Sequence, residues 1–579
     1  MDRRTLFAVL LIMAVLMVDQ VLWSRWTKPR GTNPPAGADS IAGSTNGGGT
    51  ANSGVITTGS GTAGRPAGTP TTAPGVTPPA SAPPGAALRA VGGAPGAPGE
   101  TMLRPRVPVT AATQHRFKTD RFDATISSEG AAVSSWILGS YRDPLTKAAV
   151  DLISPGQSAL HVVVGLSGGA FDYSRAPFQV ADQNEVEGRI SFVAVDSTGI
   201  RVTKTYRKTT DPAILDVEVR IVAEPELGPV RYRIGWGSPL PQTEQIVKPQ
   251  DFTAVAYLGA KLETITAAHL TKDGMKRFEG NVRWAGERSK YFLAAVIPDS
   301  ATVPEVVFLP DRDKKPTAWL AGAAPPGTEI VRHARIYAGP IEVEDLSRIG
   351  AGLDEAANLG WPWIVPVSKL LLGALLWIHH FIPNYGIAII LISILTKLIF
   401  HPLSHSSLRT MKVMHRLQPQ LDAMREKYKE DPTKLNQAMM ALYKEHKVNP
   451  LGGCLPMLLQ LPVFLALYQV LLHAVELRAA GFVGYITDLS APDVLMRIGG
   501  FPLSLMPLLM TGSTYLLQSQ TPVAPQQRMM MYFMPAMMLY IMYGLPSGVI
   551  LYWTVNNLIS ALQQYIVNVS EDRKAAATS

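Results

Sequence analysis

Cysteine is nearly absent: Cys454 is the only one in 579 residues, so no internal disulfide can form and any exported domain must hold together by its core alone. Zinc sites built on cysteines are excluded on the same ground. His401 and His405 stand at i and i+4, but no acidic residue accompanies them as in a zinc-protease helix. No metal and no cofactor is expected. Charge is also sparse, at 17% of residues, and no Gly-Lys-Ser/Thr loop offers a phosphate cradle. Large apolar side chains are almost missing from residues 28–113, a Pro, Gly, Ala, Ser and Thr tract. Such a tract cannot bury enough surface to offset its ordering entropy, and it reads as a flexible linker.

What is present is segregated along the chain. Arg3 and Arg4 precede an apolar run, Thr5 to Trp23, which is about as long as a bilayer is thick and has no small-residue cleavage pattern. Residues 1–27 are therefore expected as an uncleaved transmembrane anchor with a cytoplasmic N-terminus. Residues 114–350 alternate in short runs such as Val202-Thr-Lys-Thr-Tyr206 and Leu215-Asp-Val-Glu-Val219. Period two means strands, and many short runs punctuated by Gly, Pro and Asp predict a large antiparallel β-sandwich. Residues 351–383 change period: Leu353 to Leu359 reads as a short helix and Trp361 to Phe381 as an amphipathic one on the outer bilayer surface, with a lone tilted span as its rival.

Five apolar segments follow, Tyr385 to Leu403, Leu455 to Val475, Phe501 to Leu517, Met529 to Tyr543 and Gly548 to Val567. With the anchor they make six spans, which puts both termini in the cytoplasm and leaves a tail at 568–579. Between the second and third spans, residues 404–450 read as a cytoplasmic hairpin of two helices, capped at Asp431-Pro432 and ended at Asn449-Pro450. Its basic residues Arg409, Lys412, Arg416, Arg425, Lys427 and Lys429 suit a docking face for a ribosome, targeting factors or anionic lipid. They also suit a plain positive-inside anchor.

Lys397 is the most informative residue. A lysine facing lipid near a helix centre costs about 2.5 to 3.5 kcal/mol, which favours a polar cavity around it, although snorkelling toward cytoplasmic headgroups is an alternative. Ser393 lies one turn away, and Gln460, Gln469, Asn556, Asn557, Ser560 and Gln563 fall within other spans. Together they can line a wet groove, or each can make an ordinary interhelical hydrogen bond. No carboxylate lies within the five later apolar segments to neutralise the lysine, which argues against a proton relay. The methionines crowding 529–542 offer an adaptable apolar surface or simple packing.

The order of Asn384-Tyr-Gly386, Lys397 to His401-Pro402-Leu403, Leu417-Gln-Pro419, Lys447-Val-Asn-Pro-Leu-Gly-Gly-Cys-Leu-Pro456, Gln460-Leu-Pro462, Phe533-Met-Pro535, Leu545-Pro-Ser-Gly548 and Leu551-Tyr-Trp-Thr-Val-Asn-Asn557 resembles the YidC/Oxa/Alb family of membrane insertases. The whole chain resembles the YidC form of Gram-negative bacteria, with Trp284-Ala-Gly286, Lys290-Tyr-Phe292 and Pro298 similar to that form's periplasmic β-supersandwich. The resemblance implies an α-helical polytopic membrane bundle plus a periplasmic antiparallel β-supersandwich, and an ATP-independent insertase and chaperone in the inner membrane rather than an enzyme. It implies a hydrophilic groove open to cytoplasm and lipid, with Lys397, Ser393 and Trp553 at positions that resemble the family's; on the residues themselves Gln460, Tyr552 and Asn556 are expected to line it too, and Phe464, Tyr468, Met534 and Met538 to form a client-sliding surface. The family usually carries arginine where this chain has Lys397, so bidentate carboxylate pairing is lost while the charge is kept. The implied partners are nascent membrane proteins, the Sec translocon (SecYEG, SecDF), the ribosome with signal-recognition targeting machinery, and membrane lipids. Rival readings are a small-anion transporter using Lys397, an intramembrane hydrolase using Ser393 or Ser547 with Lys397 as base, and a sugar-binding or chaperone role for the β-domain.

Overall fold

The computed structural model describes residues 101–107, 112–144, 146–244, 248–299, 303–446, 455–498, 501–520 and 528–578. The expected anchor and nearly all of the expected linker lie outside the described residues, as do the side chains of Arg409 and Lys412.

The alternating runs fold into a sandwich. Its nine-stranded sheet has the order Lys261–Thr266, Thr253–Leu258, Val282–Arg288, Phe292–Pro298, Ile330–Pro340, Ile214–Val222, Arg201–Lys208, Arg189–Val195, Gln179–Asn184. The facing seven-stranded sheet has the order Met102–Leu103, Gly169–Asp172, His161–Leu166, Val230–Gly235, Pro316–Ala324, Glu305–Pro310, Lys276–Glu279. Pairing is antiparallel apart from Met102–Leu103, which lies parallel to Gly169–Asp172. Inward residues of both sheets, among them Val202, Tyr206, Leu215 and Val217 from one and Val162, Val164 and Tyr232 from the other, share one core. The period of two also turns Lys204 inward, where it is fully buried and its Nζ donates to the carbonyls of Gly130 at 2.7 Å and Leu160 at 2.8 Å.

Several strands break the alternation, and Phe292–Pro298 shows the physical reason. Phe292–Pro298 is apolar at nearly every position because the nine-stranded sheet is covered on its other face too. There Trp284, Leu293, Ala295 and Ile297 pack against Leu346 and Ile349 of a short helix and against Leu353 and Ala356 of a 3-10 turn.

Eleven helices are present among the described residues: α1 Ala267–Asp273, α2 Val343–Ile349, α3 Val365–Phe381, α4 Tyr385–Ile399, α5 His401–Arg416, α6 Gln418–Lys427, α7 Pro432–Glu445, α8 Leu455–His473, α9 Leu505–Ser519, α10 Arg528–Met542 and α11 Ser547–Thr578. Their boundaries follow from proline and capping chemistry. Pro402 has no N–H to give the Leu398 carbonyl, so α4 ends at Ile399 and a new helix starts instead of one continuing to Leu403. Pro419 divides α5 from α6 in the same way. Asp431 caps α7 through the Lys434 amide at 3.1 Å. Leu417, Leu421, Leu442 and Tyr443 close α6 onto α7. Asn384 caps α4 through the Ile387 amide, and Gly386 follows because a Cβ there would meet the Phe482 ring at 2.0 Å.

Among the described residues no helix is long and apolar enough to cross a membrane. The reasons differ by helix. α4, α9 and α10 have 15 residues each, about 22 Å of rise against a hydrocarbon core of about 30 Å. α11 has 32 residues, but Asn556, Asn557, Gln563 and Gln564 dilute its apolar character. The apolar segment expected to start at Phe501 begins as a strand, Phe501–Leu503, and turns helical only at Leu505.

Sandwich and helices meet at a polar joint. Arg478, just beyond α8, is buried: Nε donates to Glu244 Oε1 at 2.6 Å, and its other nitrogens donate to the carbonyls of Arg142 at 2.8 Å and Thr243 at 3.0 Å. Its guanidinium lies over the Phe292 ring at 5.4 Å, and Val475 is buried in the sandwich core. Beside it is a cavity of about 400 Å³ lined by Arg121, Tyr141, Arg142, Glu342, Asp345, Glu476 and Arg478. Arg121 pairs with Asp345 at 2.8 Å, and the Tyr141 hydroxyl donates to Glu342. Arg288, Lys290 and His473 flank Glu476 from a second, smaller cavity. Burial first, and the facing Glu342 second, push the Glu476 carboxyl up to about 7. The joined state thus holds a proton that a separated one releases, so the Glu476 contribution to the joint is complete below the ordinary carboxylate range and is lost as pH rises to about 7. Hydrogen exchange at 475–478 is expected to quicken between pH 5 and pH 7.5, and Glu476→Gln to flatten that dependence; equal slopes in both proteins would contradict it.

Candidate functional site

Three helices converge on Lys397. It sits on the last turn of α4, buried at 8% exposure, and its ammonium turns away from the helix it belongs to. Nζ donates to Ser560 Oγ on α11 at 2.9 Å and to Gln460 Oε1 on α8 at 3.4 Å. Gln460 Nε2 reaches Asn556 Oδ1 at 3.5 Å, and the Ser560 hydroxyl donates to the Asn556 carbonyl at 2.8 Å. One turn further along, Gln563 Nε2 lies 3.4 Å from His401 Nδ1. Asn556, Ser560 and Gln563 at i, i+4 and i+7 make one polar face of α11. The cluster holds a cation with neutral oxygens, so its charge is solvated by the protein without being cancelled.

The sequence candidates divide. Lys397, Gln460 and Asn556 come together as one network, and Ser560, read only as one of several groove amides and hydroxyls, supplies its shortest contact to the lysine. Ser393 is fully buried and donates to its own helix at the Ile389 carbonyl, 2.7 Å away, so it lies beside the network without joining it. Asn557 faces α9, bonding Thr514 at 2.8 Å and Ser513 at 3.2 Å, and is an interhelical link. Gln469 is buried against Gly360, far along α8 from Gln460.

An aromatic cluster lies above the polar one. Phe464 has ring centroids of Trp553 at 5.0 Å, Tyr552 at 6.1 Å and Tyr468 at 6.4 Å. Tyr468 and Tyr552 are buried and back this surface, while Phe464 and Trp553 remain partly open. Met538 packs with Trp553 against Met510, Met542 and Ile550; Met534 is half-buried on α10. On the hairpin, Arg416, Arg425, Lys427 and Lys429 are exposed, with Arg425 paired to Asp422 at 3.0 Å.

The geometry does not suit hydrolysis. A serine nucleophile needs a base to take its proton, yet Lys397 donates to Ser560, whose own proton goes to a backbone carbonyl. Ser547 donates to the Asp488 carbonyl at 2.9 Å and lies nowhere near the lysine's partners.

Two family models match the chain, one described as the 60Kd inner membrane protein over residues 377–574 and one as the YidC periplasmic domain over residues 114–368. A membrane protein insertase YidC of Pelobacter propionicus is 33% identical over 499 residues, covering 80% of this chain and 88% of that one. A membrane protein insertase YidC of Geobacter sulfurreducens is 34% identical over 485 residues, covering 78% and 85%. A solved structure, the active YidC insertase with its first transmembrane domain resolved, is 18% identical and covers 79% of this chain and 93% of that one, with a TM-score of 0.34. With family models matched over residues 114–368 and 377–574 and relatives matched over most of their length, the chain belongs to the YidC family of membrane protein insertases.

Proposed function

We propose that this chain transfers segments of other polypeptides from the cytoplasm into the inner membrane by way of the polar cluster around Lys397. The observation that carries the reading is a buried ammonium held by Gln460 and Ser560, neutral side chains from two other helices. Such a charge favours an acidic or polar stretch of a client over plain lipid, and the aromatic and methionine surface at Phe464, Trp553 and Met538 receives the client's apolar part. Release into lipid is driven by hydrophobic transfer, with no nucleotide required. Six spans, with both termini cytoplasmic and the sandwich periplasmic, are the arrangement that goes with this path. Because several helices are short, a thinned bilayer accompanies it. The exposed cations of the hairpin dock a ribosome or targeting factor, and the Sec translocon is a partner for part of the client range.

A photo-crosslinker placed in turn at Lys397, Gln460, Ser560 and Trp553 tests the path. Stalled membrane-protein chains are expected to be captured at all four positions. Capture confined to lipid-facing controls such as Leu398 and Leu562 would remove the groove as a route.

A further inference from the structure

Between α8 and α9 the chain forms a small hairpin in which Met496 pairs with Leu503 and Ile498 with Phe501. Its first strand and the residues leading into it are apolar and uncovered: Val494 is 40% exposed, Leu495 44%, Met496 52% and Ile498 62%. A solvated loop rarely carries such a run. The hairpin is nonetheless firmly mounted. Asp493 Oδ2 accepts the Leu505 and Met506 amides, both at 2.9 Å, and the Tyr485 hydroxyl at 2.8 Å. The Tyr543 hydroxyl donates to the Pro502 carbonyl and accepts the Ser504 amide at 3.2 Å. These bonds fix the exposed run at the start of α9 and the end of α10.

Its position decides what covers it. Asp488, Ser490, Ala491 and Pro492, just before the hairpin, line a cavity with Pro144, Glu244 and Lys248 of the sandwich, so the hairpin is on the periplasmic end of the helical region. It leads directly into α9, whose Leu508, Leu509, Tyr515 and Leu516 are exposed on one face. The 15 residues of α9 rise about 22 Å, short of a hydrocarbon core of about 30 Å, so the hairpin that leads into it comes to the outer boundary of that core. A second strand from another chain is a poor alternative occupant, because Arg497 and Pro502 interrupt both edges.

We infer that the side chains of Val494, Leu495, Met496 and Ile498 dip into the headgroup and upper acyl-chain boundary of the outer leaflet, continuing the apolar face of α9, while the hairpin's open backbone edges stay within reach of interfacial water. Arg497, flanked by the immersed residues, lies at the level of the lipid phosphates.

The test uses the full chain in liposomes with Cys454→Ser, the only native cysteine removed, and a nitroxide attached at Met496→Cys or Ile498→Cys. Leu509→Cys on α9 and Val186→Cys on a sandwich turn are the references for lipid and water. Collision with oxygen relative to a water-soluble nickel chelate is expected to be several-fold higher at 496 and 498 than at 186, approaching the value at 509. Values at 496 and 498 equal to that at 186 would overturn the inference. So would line shapes that change on dilution with unlabelled protein, because they would reveal a second copy as the occupant. A label at 509 that reads as aqueous would count against the membrane reading of α9 itself, which separates the two failures.

Discussion

Replacing Lys397 with methionine is expected to lower the insertion of clients whose translocated stretch carries acidic residues by about tenfold, with little effect on clients that lack them. Methionine keeps the length and leaves Gln460 and Ser560 able to bond water, so the change isolates the charge. A hydrogen bond to a charged group contributes about 1.5 to 3 kcal/mol, and about 1.4 kcal/mol is a factor of ten in rate. Lys397→Arg is expected to retain activity, since position and charge persist, while Lys397→Glu should fall below the methionine variant because it repels the same clients. Protease protection of radiolabelled clients in proteoliposomes reads all three. Equal insertion of every client by wild type and all three variants would end the proposal.

The second large effect is structural. Arg478→Met is expected to loosen the sandwich from the helices, because it leaves a half-buried Glu244 carboxylate without its cation and two carbonyls without the donors that the guanidinium supplies. Removing one partner of a buried ion pair costs about 3 to 5 kcal/mol, far more than a surface pair. Amide exchange should rise at 142–144, 243–244 and 475–478, while the central strands Arg201–Lys208 and Ile214–Val222 stay protected. Adding Glu244→Leu to Arg478→Met should recover much of the loss, since the pair is then replaced by apolar side chains of similar size. Unchanged exchange in the single variant would mean that the joint is held elsewhere.

The sandwich was legible because alternation is local: each strand announces its inward face within a few residues, and even Lys204 falls on the buried side by that rule. Phe292–Pro298 shows where locality stops, since its continuous apolar run is set by α2 and a 3-10 turn that come later in the chain. The polar cluster around Lys397 was half legible. Lys397 stands out as a lone charge in an apolar helix, and Gln460 and Asn556 as amides in apolar helices. That Ser560 rather than Ser393 meets the lysine depends on the rotation of α11 against α4, which one turn of spacing cannot specify. Arg478 falls between two apolar segments, where nothing local marks it as buried. Its partner Glu244 lies 234 residues away, and no pattern within either segment links them.

The parallel pair formed by Met102–Leu103 against Gly169–Asp172 has its own bearing on how the protein lives in a crowded compartment. Without it, Gly169–Asp172 would present a bare row of amides and carbonyls at the rim of the seven-stranded sheet. A two-residue splint, drawn from the same chain and reinforced by the Ala170 amide donating to the Thr101 carbonyl at 3.0 Å, shields that rim from neighbouring molecules. Self-association through sheet extension is thereby discouraged at this side of the domain, at the expense of only two ordered residues.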